Sequence, residues 1–226
     1  MPVAPDLTDR TVVVTGAAGR LGRVVVDQLG DAGARVAALD RTADGAAGDL
    51  VLRADVTDER STAAAFDEVG RRLGAPDAVV HAVGVWDGGP FAETTVEAWR
   101  RVLDVNLTSA FVVFREGVRR MLAGGAGGHL VGVASGQGVD RGVAEQAAYS
   151  ASKAGVLRLV ESVAAEHRDA DISATAVAPS LILFGDEADD ARGVDVAEVA
   201  GLCVTLCGPA GTIHNGSVMR AYGSMR

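Results

Sequence analysis

One lysine is all the chain contains. Its 21 basic residues are otherwise arginine, and the lone ammonium is Lys153. A compositional bias toward arginine accounts for the rest and leaves the surviving position unexplained. Acidic residues number 30, so the net charge is −9. That balance excludes nucleic acid and an anionic membrane as expected partners, because both need a basic surface. Cysteine is nearly as scarce. Cys203 and Cys207 stand four apart in a helical pattern, cannot build a disulfide framework, and are expected in the core. No apolar run reaches the ~18 residues of a membrane-spanning helix, and Met1–Arg10 has no signal-peptide profile. A soluble protein of a reducing, cytoplasmic compartment is the expectation. There is no low-complexity tail and no repeat of ~20–50 residues. His129, His167 and His214 stand singly, without the spacing of metal ligands, so no metal is expected.

What the chain has in excess is small side chains, 40 Ala and 29 Gly. Its 226 residues, 48% of them hydrophobic, suffice for a sizeable core and fit one domain, or at most two small ones. Short β-branched runs at Thr11–Thr15, Arg35–Asp40, Leu50–Asp55, Ala78–Ala82, His129–Ala134, Ile172–Ala178 and Ser217–Ala221 read as strands. Most are continuously apolar, as parallel strands covered on both faces require. Helical patterns lie between them, at Leu21–Ala32, Glu59–Leu73, Val96–Leu122, Ala147–Ala165 and Val196–Cys207. Strict alternation of this kind predicts the α/β class: a doubly wound parallel sheet of about seven strands with helices on both faces. Ligands in such sheets sit beyond the carboxyl ends of the strands.

The residues after those strand ends carry the chemistry. Val12-Val13-Val14-Thr15 runs into Gly16-Ala17-Ala18-Gly19-Arg20-Leu21-Gly22, which opens a helix. Glycines there let the backbone turn sharply and approach a pyrophosphate at the helix N-terminus, which predicts a Rossmann-type dinucleotide site. Asp40 closes the second strand, where a carboxylate accepts hydrogen bonds from both adenosine ribose hydroxyls and repels a 2′-phosphate. NAD is therefore the preferred cofactor. NADP is the alternative, since the Arg20 or Arg41 guanidinium can meet a phosphate instead. Asp55, followed by Val56, ends the third strand in position to accept from the adenine amino group. An equally simple reading makes Asp55 a helix cap, a role Thr57 or Asp58 can also fill.

Ser135 follows the fifth strand, and Tyr149-Ser150-Ala151-Ser152-Lys153 begins fourteen residues later. At i and i+4 on a helix, Tyr149 and Lys153 share a face. A phenol with its usual pKa near 10 is a poor proton carrier at neutral pH. A cation ~4 Å away supplies roughly 4 kcal/mol at an effective dielectric of ~20, which by itself draws the phenol down toward 7, less whatever desolvation takes back. Ser135 is placed to hold a substrate oxygen beside it. A compact ammonium suits a reach to both phenol and ribose better than a guanidinium fork does.

With these residues in order, the chain resembles the short-chain dehydrogenase/reductase family, in its single-domain branch, from Thr15 to Gly223. The resemblance implies a single domain over 1–226, with a cofactor half at about 8–135 and a substrate and catalytic half at about 136–226. It implies a catalytic quartet of Asn106, Ser135, Tyr149 and Lys153. Tyr149 then moves the proton, Ser135 orients the carbonyl, Lys153 holds the nicotinamide ribose and tunes Tyr149, and Asn106 anchors a water. Gly16, Gly19, Leu21, Gly22, Ala82, Gly84, Pro179 and the Ile182 backbone join Asp40, Asp55 and Val56 as cofactor positions. The pattern departs in four places. Arg20 stands where the branch has its second glycine, and His81-Ala82-Val83 replaces Asn-Asn-Ala. Ser180 replaces a glycine, and Phe184 replaces a threonine.

Only about fifteen residues separate Pro179 from a helix starting near Val194, a brief substrate lid containing the acidic, expectedly mobile run 184–190. A short lid suits a bulky or carrier-tethered ketone or alcohol as well as a small molecule, or closure by a neighbouring subunit. Trp86, Gln137, Gln146, Leu181 and Phe184 are the pocket-lining candidates. Trp86 and Phe184 read equally well as packing under a loop. The leading function is NAD(P)-dependent interconversion of a secondary alcohol and a ketone. Epimerisation or dehydration with tightly held NAD, hinted by the glycine spacing, and non-catalytic cofactor binding are the alternatives. The resemblance also implies a homotetramer or homodimer built on the two long helices and the last strand. If Lys153 survives for its shape and not its charge, Lys153→Arg will fold normally, by circular dichroism, and lose most of its oxidoreductase activity. Retained activity would reduce the lysine count to composition.

Overall fold

The computed structural model describes residues 5–42, 44–185 and 193–223. Seven strands form one all-parallel sheet: β1 (Thr11–Thr15), β2 (Arg35–Asp40), β3 (Leu50–Arg53), β4 (Ala78–His81), β5 (Gly128–Val133), β6 (Ile172–Pro179) and β9 (Val218–Ala221). Their order is β3-β2-β1-β4-β5-β6-β9, so the chain winds outward in one direction from β1 and in the other from β4. Between β1 and β4 the winding reverses, and a crevice opens at their carboxyl ends. A separate parallel pair, β7 (Leu181–Leu183) and β8 (Gly193–Asp195), stands outside the sheet. Val194, expected near a helix start, lies in β8, and the helix begins at Val196.

Each sheet face is buried under its own helices. Strands β1, β4 and β6 carry no exposed residue. On one face lie α2 (Glu59–Leu73), α4 (Ser109–Gly124) and α6 (Ala147–Glu166), contributing Phe66, Phe114, Met121, Val156 and Val160. On the other lie α1 (Arg20–Asp31) and α7 (Val196–Leu206), contributing Leu21, Val25, Leu29, Val199 and Cys203. Helix α1 buries Leu21, Val25 and Leu29 at four-residue intervals, one stripe of an amphipathic helix. Local signals set the helix starts: Asp58 accepts from the Ser61 N–H at 2.6 Å, and Asp195 from the Ala197 N–H at 2.7 Å. Both cysteines are buried, Cys203 on α7 and Cys207 at its C-terminal cap, and burial pushes the Cys203 thiol up to about 12.

The single helix expected over Val96–Leu122 is interrupted. Helix α3 (Val96–Leu103) passes through a π turn at Asp104–Thr108 before continuing as α4. The Ser109 N–H donates to the Asp104 carbonyl, five residues back, instead of to Val105. One extra residue enters the turn, and Asn106 lies inside it. A four-residue helix, α5 (Gly136–Val139), a short α8 (Pro209–Ile213) and single 3-10 turns at Phe91–Glu93 and Arg168–Ala170 complete the described chain. None of the described helices is long and apolar enough to cross a membrane.

Candidate active site

The turn after β1 is shaped by backbone that only glycine allows. Gly16 has φ +76°, and a Cβ on Gly22 would lie 2.0 Å from the Gly16 carbonyl oxygen. Gly19 is the N-cap of α1 and has no side chain to occupy the helix's first N–H groups. Those donors face a cleft of about 1260 Å³, with Arg20 and Leu21 on its wall. Uncapped donors at a positive helix end, on a turn with no room for side chains, fit a dinucleotide pyrophosphate. Asp40 braces this turn, its Oδ2 accepting from the Ala18 N–H at 3.0 Å and its Oδ1 from the Thr42 N–H at 3.1 Å. The Arg20 guanidinium stacks 3.7 Å over the Phe184 ring, joining the glycine turn to the segment after β7.

Other adenosine-side positions divide. Asp58 caps α2, so Asp55 does not; its Oδ1 accepts from the Thr57 N–H and hydroxyl at 3.0 and 2.7 Å. Those bonds hold the Asp55 carboxyl below its usual range. Val56 is buried in the core, and Arg41 is exposed beside Asp40. Ala82, Gly84, Pro179 and Ile182 line the cleft.

Ser135, Tyr149 and Lys153 meet on the same cleft wall. Ser135 caps α5, its Oγ accepting from the Gln137 N–H at 3.3 Å. Lys153 is only 4% exposed. Its Nζ donates to the Val133 carbonyl at 2.9 Å and lies 5.9 Å from the centre of the Tyr149 ring. The expected lowering of the Tyr149 pKa does not occur in this arrangement. Burial pushes the phenol up, and a hydrogen bond with Ser135 only partly offsets it. Burial also lowers Lys153 to about 8. Gly84 closes over this ammonium, since a Cβ there would lie 3.0 Å from Nζ.

Asn106 stands behind the cleft. Its Oδ1 accepts from the Val85 N–H at 2.7 Å, and its Nδ2 donates to the Val85 carbonyl and the Ser152 Oγ, each at 3.0 Å. The amide is thus fully engaged with protein and aligns the strand-like segment after β4. Ser152 in turn donates to the Tyr149 carbonyl at 2.8 Å, which ties this clamp to α6.

On the substrate side, Trp86, Gln137, Leu181 and Phe184 line the cleft. Gln146 does not: its Oε1 is buried without a hydrogen-bond partner. Of the acidic run 184–190, residues 186–190 lie outside the described residues. Sequence reasoning missed Asp140, Arg141 and Tyr222, which also line the cleft. The Tyr222 hydroxyl donates to Asp140 Oδ2 at 2.5 Å and Arg220 Nε donates to Oδ1 at 3.1 Å, so the last strand clasps the loop after Ser135. Tyr222 had one signal, its place directly after a strand end. Among the described residues no cluster of His, Cys, Asp or Glu could hold a metal ion.

The family model described as short chain dehydrogenase matches residues 10–189. The cis-4-hydroxycyclohexanecarboxylate dehydrogenase of Sinomonas cyclohexanicum is 38% identical over 183 residues, covering 76% of this chain and 72% of the relative. The D-threitol dehydrogenase of Mycolicibacterium smegmatis is 30% identical over 237 residues, covering 93% and 90%. The solved structure of a short-chain type dehydrogenase/reductase from Mycobacterium ulcerans superposes with a TM-score of 0.84 at 28% identity, covering 94% of this chain and 88% of that one.

The depressed Lys153 gives a pH signature. Below about 8 the ammonium is charged in both states and its burial opposes folding. Between 8 and the ordinary 10.5 the unfolded chain binds more protons than the native one, so stability rises with pH across that window. The full gain is about 3 kcal/mol. In urea titrations of the nucleotide-free protein, the parent should gain most of that amount relative to Lys153→Met from pH 8 to 10.5. Parallel stability curves would show that the buried ammonium is not strained.

Proposed function

Since this chain belongs to the short-chain dehydrogenase/reductase family, an oxidoreductase family acting on CH–OH donors with NAD(P), we propose that it interconverts a secondary alcohol and a ketone with Tyr149 as the acid–base. The observation that carries this reading is the convergence of Ser135, Tyr149 and Lys153 on one wall of the cleft that the glycine turn opens into. The nicotinamide ring supplies or accepts the hydride when bound. In the reducing direction the Tyr149 hydroxyl gives its proton to the carbonyl oxygen as the carbon gains hydride; oxidation returns the proton to the phenolate. The raised phenol favours the protonated, donating form at rest. Ser135 donates its hydroxyl proton to the same oxygen and holds it against the phenol. Lys153, beneath Gly84, presents its remaining ammonium donors to the cofactor ribose. Asn106 works from behind as a positioning residue.

Asp40 supports NAD as the preferred dinucleotide, because a carboxylate at the end of β2 opposes a 2′-phosphate; NADP is the alternative, through Arg41. The small-molecule substrates and self-association common in the family extend to a homodimer or homotetramer built on α4 and α6, where Phe111 and Leu122 are exposed on α4.

Two measurements test the reading. Tyr149→Phe should bind NADH like the parent and lose about 10²-fold or more in kcat on any ketone the parent reduces. Parental turnover by that variant would refute the proton role. Asp40→Ser should raise the NADPH-to-NADH affinity ratio about tenfold or more by fluorescence titration, through loss of a like-charge contact. An unchanged ratio would leave the preference to the arginines.

A further inference from the structure

His81 ends β4 in the middle of the molecule, 1% exposed. Its Nδ1 lies 2.8 Å from the Thr15 hydroxyl, the last residue of β1 before the glycine turn. Its Nε2 lies 3.1 Å from the Ser109 hydroxyl, the first residue of α4 after the π turn. The Ser109 hydroxyl also donates to the Val105 carbonyl at 2.5 Å. That carbonyl is the acceptor a regular helix would give the Ser109 N–H, which the π turn has sent to Asp104. The proton order follows by elimination. With its hydrogen on Val105, Ser109 can only accept from the ring, so Nε2 carries the imidazole hydrogen. A neutral ring then has a lone pair at Nδ1, and Thr15 donates to it.

We infer that His81 is a positioning residue of the catalytic apparatus: its Nε2–H pins Ser109, and through Ser109 the π turn that aims Asn106 at Val85 and Ser152. Three strands of argument support it. Asn106 sits inside the turn that Ser109 closes, so any relaxation of residues 104–108 to a regular helix turns the amide away from Val85. Val85 and Ser152 carry the effect onward, to the cleft wall beside Gly84 and to the Tyr149 backbone. The imidazole is also locked in one charge state. Burial, helped by the Lys153 charge, lowers it to about 3, so at physiological pH Nδ1 keeps the lone pair to which Thr15 donates. The edge of the Phe114 ring, 6.1 Å away between centroids, completes the enclosure.

The inference concerns how the site of the proposed alcohol–ketone reaction is held, and its test has a reading that needs no turnover. Asn106 and Asn215 are the only asparagines, so their side-chain amide signals can be assigned by nuclear magnetic resonance. Counting bonds from Cβ, the amide nitrogen of glutamine matches Nε2 and that of asparagine matches Nδ1. His81→Gln can therefore keep the Ser109 link, whereas His81→Asn cannot. The Asn106 amide protons should be protected from exchange in the parent and in His81→Gln, and exchange at least tenfold faster in His81→Asn and Ser109→Ala. Fifteen-nitrogen shifts in the parent should report the Nε2–H tautomer. On a ketone the parent reduces, His81→Asn should lose at least tenfold in kcat with KM within threefold, and His81→Gln should recover to within threefold. An Nδ1–H tautomer, or equal Asn106 protection in the parent and Ser109→Ala, overturns the inference even if every histidine variant fails to fold. Absence of ketone turnover by the parent would refute the functional reading while leaving the exchange result to decide this one.

Discussion

The Lys153 ammonium sits in the interior on a peptide carbonyl, with no carboxylate of the described residues paired to it. A lone positive charge at that depth is costly, and the surroundings are arranged around that cost. Gly84 lets the backbone approach Nζ closely, where a Cβ would lie 3.0 Å from it. His81, the nearest other group able to take a positive charge in that core, is held neutral. Its neutrality is what makes it useful as a fixed donor–acceptor link and not a second titrating base.

Small residues bring the rest of the chain up to that charge. A Cβ on Gly138 would lie 2.6 Å from the Lys153 backbone, so α5, and with it Ser135, can lie directly on α6. Gly132 admits the Phe114 ring against β5, where a Cβ would be 3.1 Å from it. The abundance of glycine and alanine thus serves close approach between layers as well as turns. The clasp of Asp140 by Tyr222 and Arg220 adds a polar lock on the far side of Ser135.

Much of this was legible in the residues because two periodicities are plain. Parallel strands buried on both faces leave unbroken apolar runs, and β1 and β2 fall on the residues where those runs lie. The Glu59–Leu73 helix was equally plain from its stripe and its Asp58 cap. Tyr149 and Lys153 were marked by their spacing on one helix face. The π turn was hidden because every residue from Val96 to Leu122 is compatible with a plain helix; the extra residue shows only in the hydrogen bonds. Spacing places Tyr149 and Lys153 on one face without saying how deeply the phenol is buried, which raises its pKa, or where the ammonium points. It points to Val133. Gln146 was placed by its position in the chain, and the rotation of its side chain into the interior leaves no trace in the sequence.

An additional residue in a helical turn is a phase shift. The α-helix advances about 100° per residue, so a single insertion rotates the register before Asp104 against the register after Thr108 without breaking the rod. Two stretches of one helical axis thereby answer to different neighbours. Helix α4 is phased to the sheet, burying Val113, Phe114 and Met121, while α3 is phased to α6, burying only Val102. Asn106 lies at the node between the two phases, where a side chain can face neither the sheet nor the solvent. The lateral direction left to it is the one toward Val85.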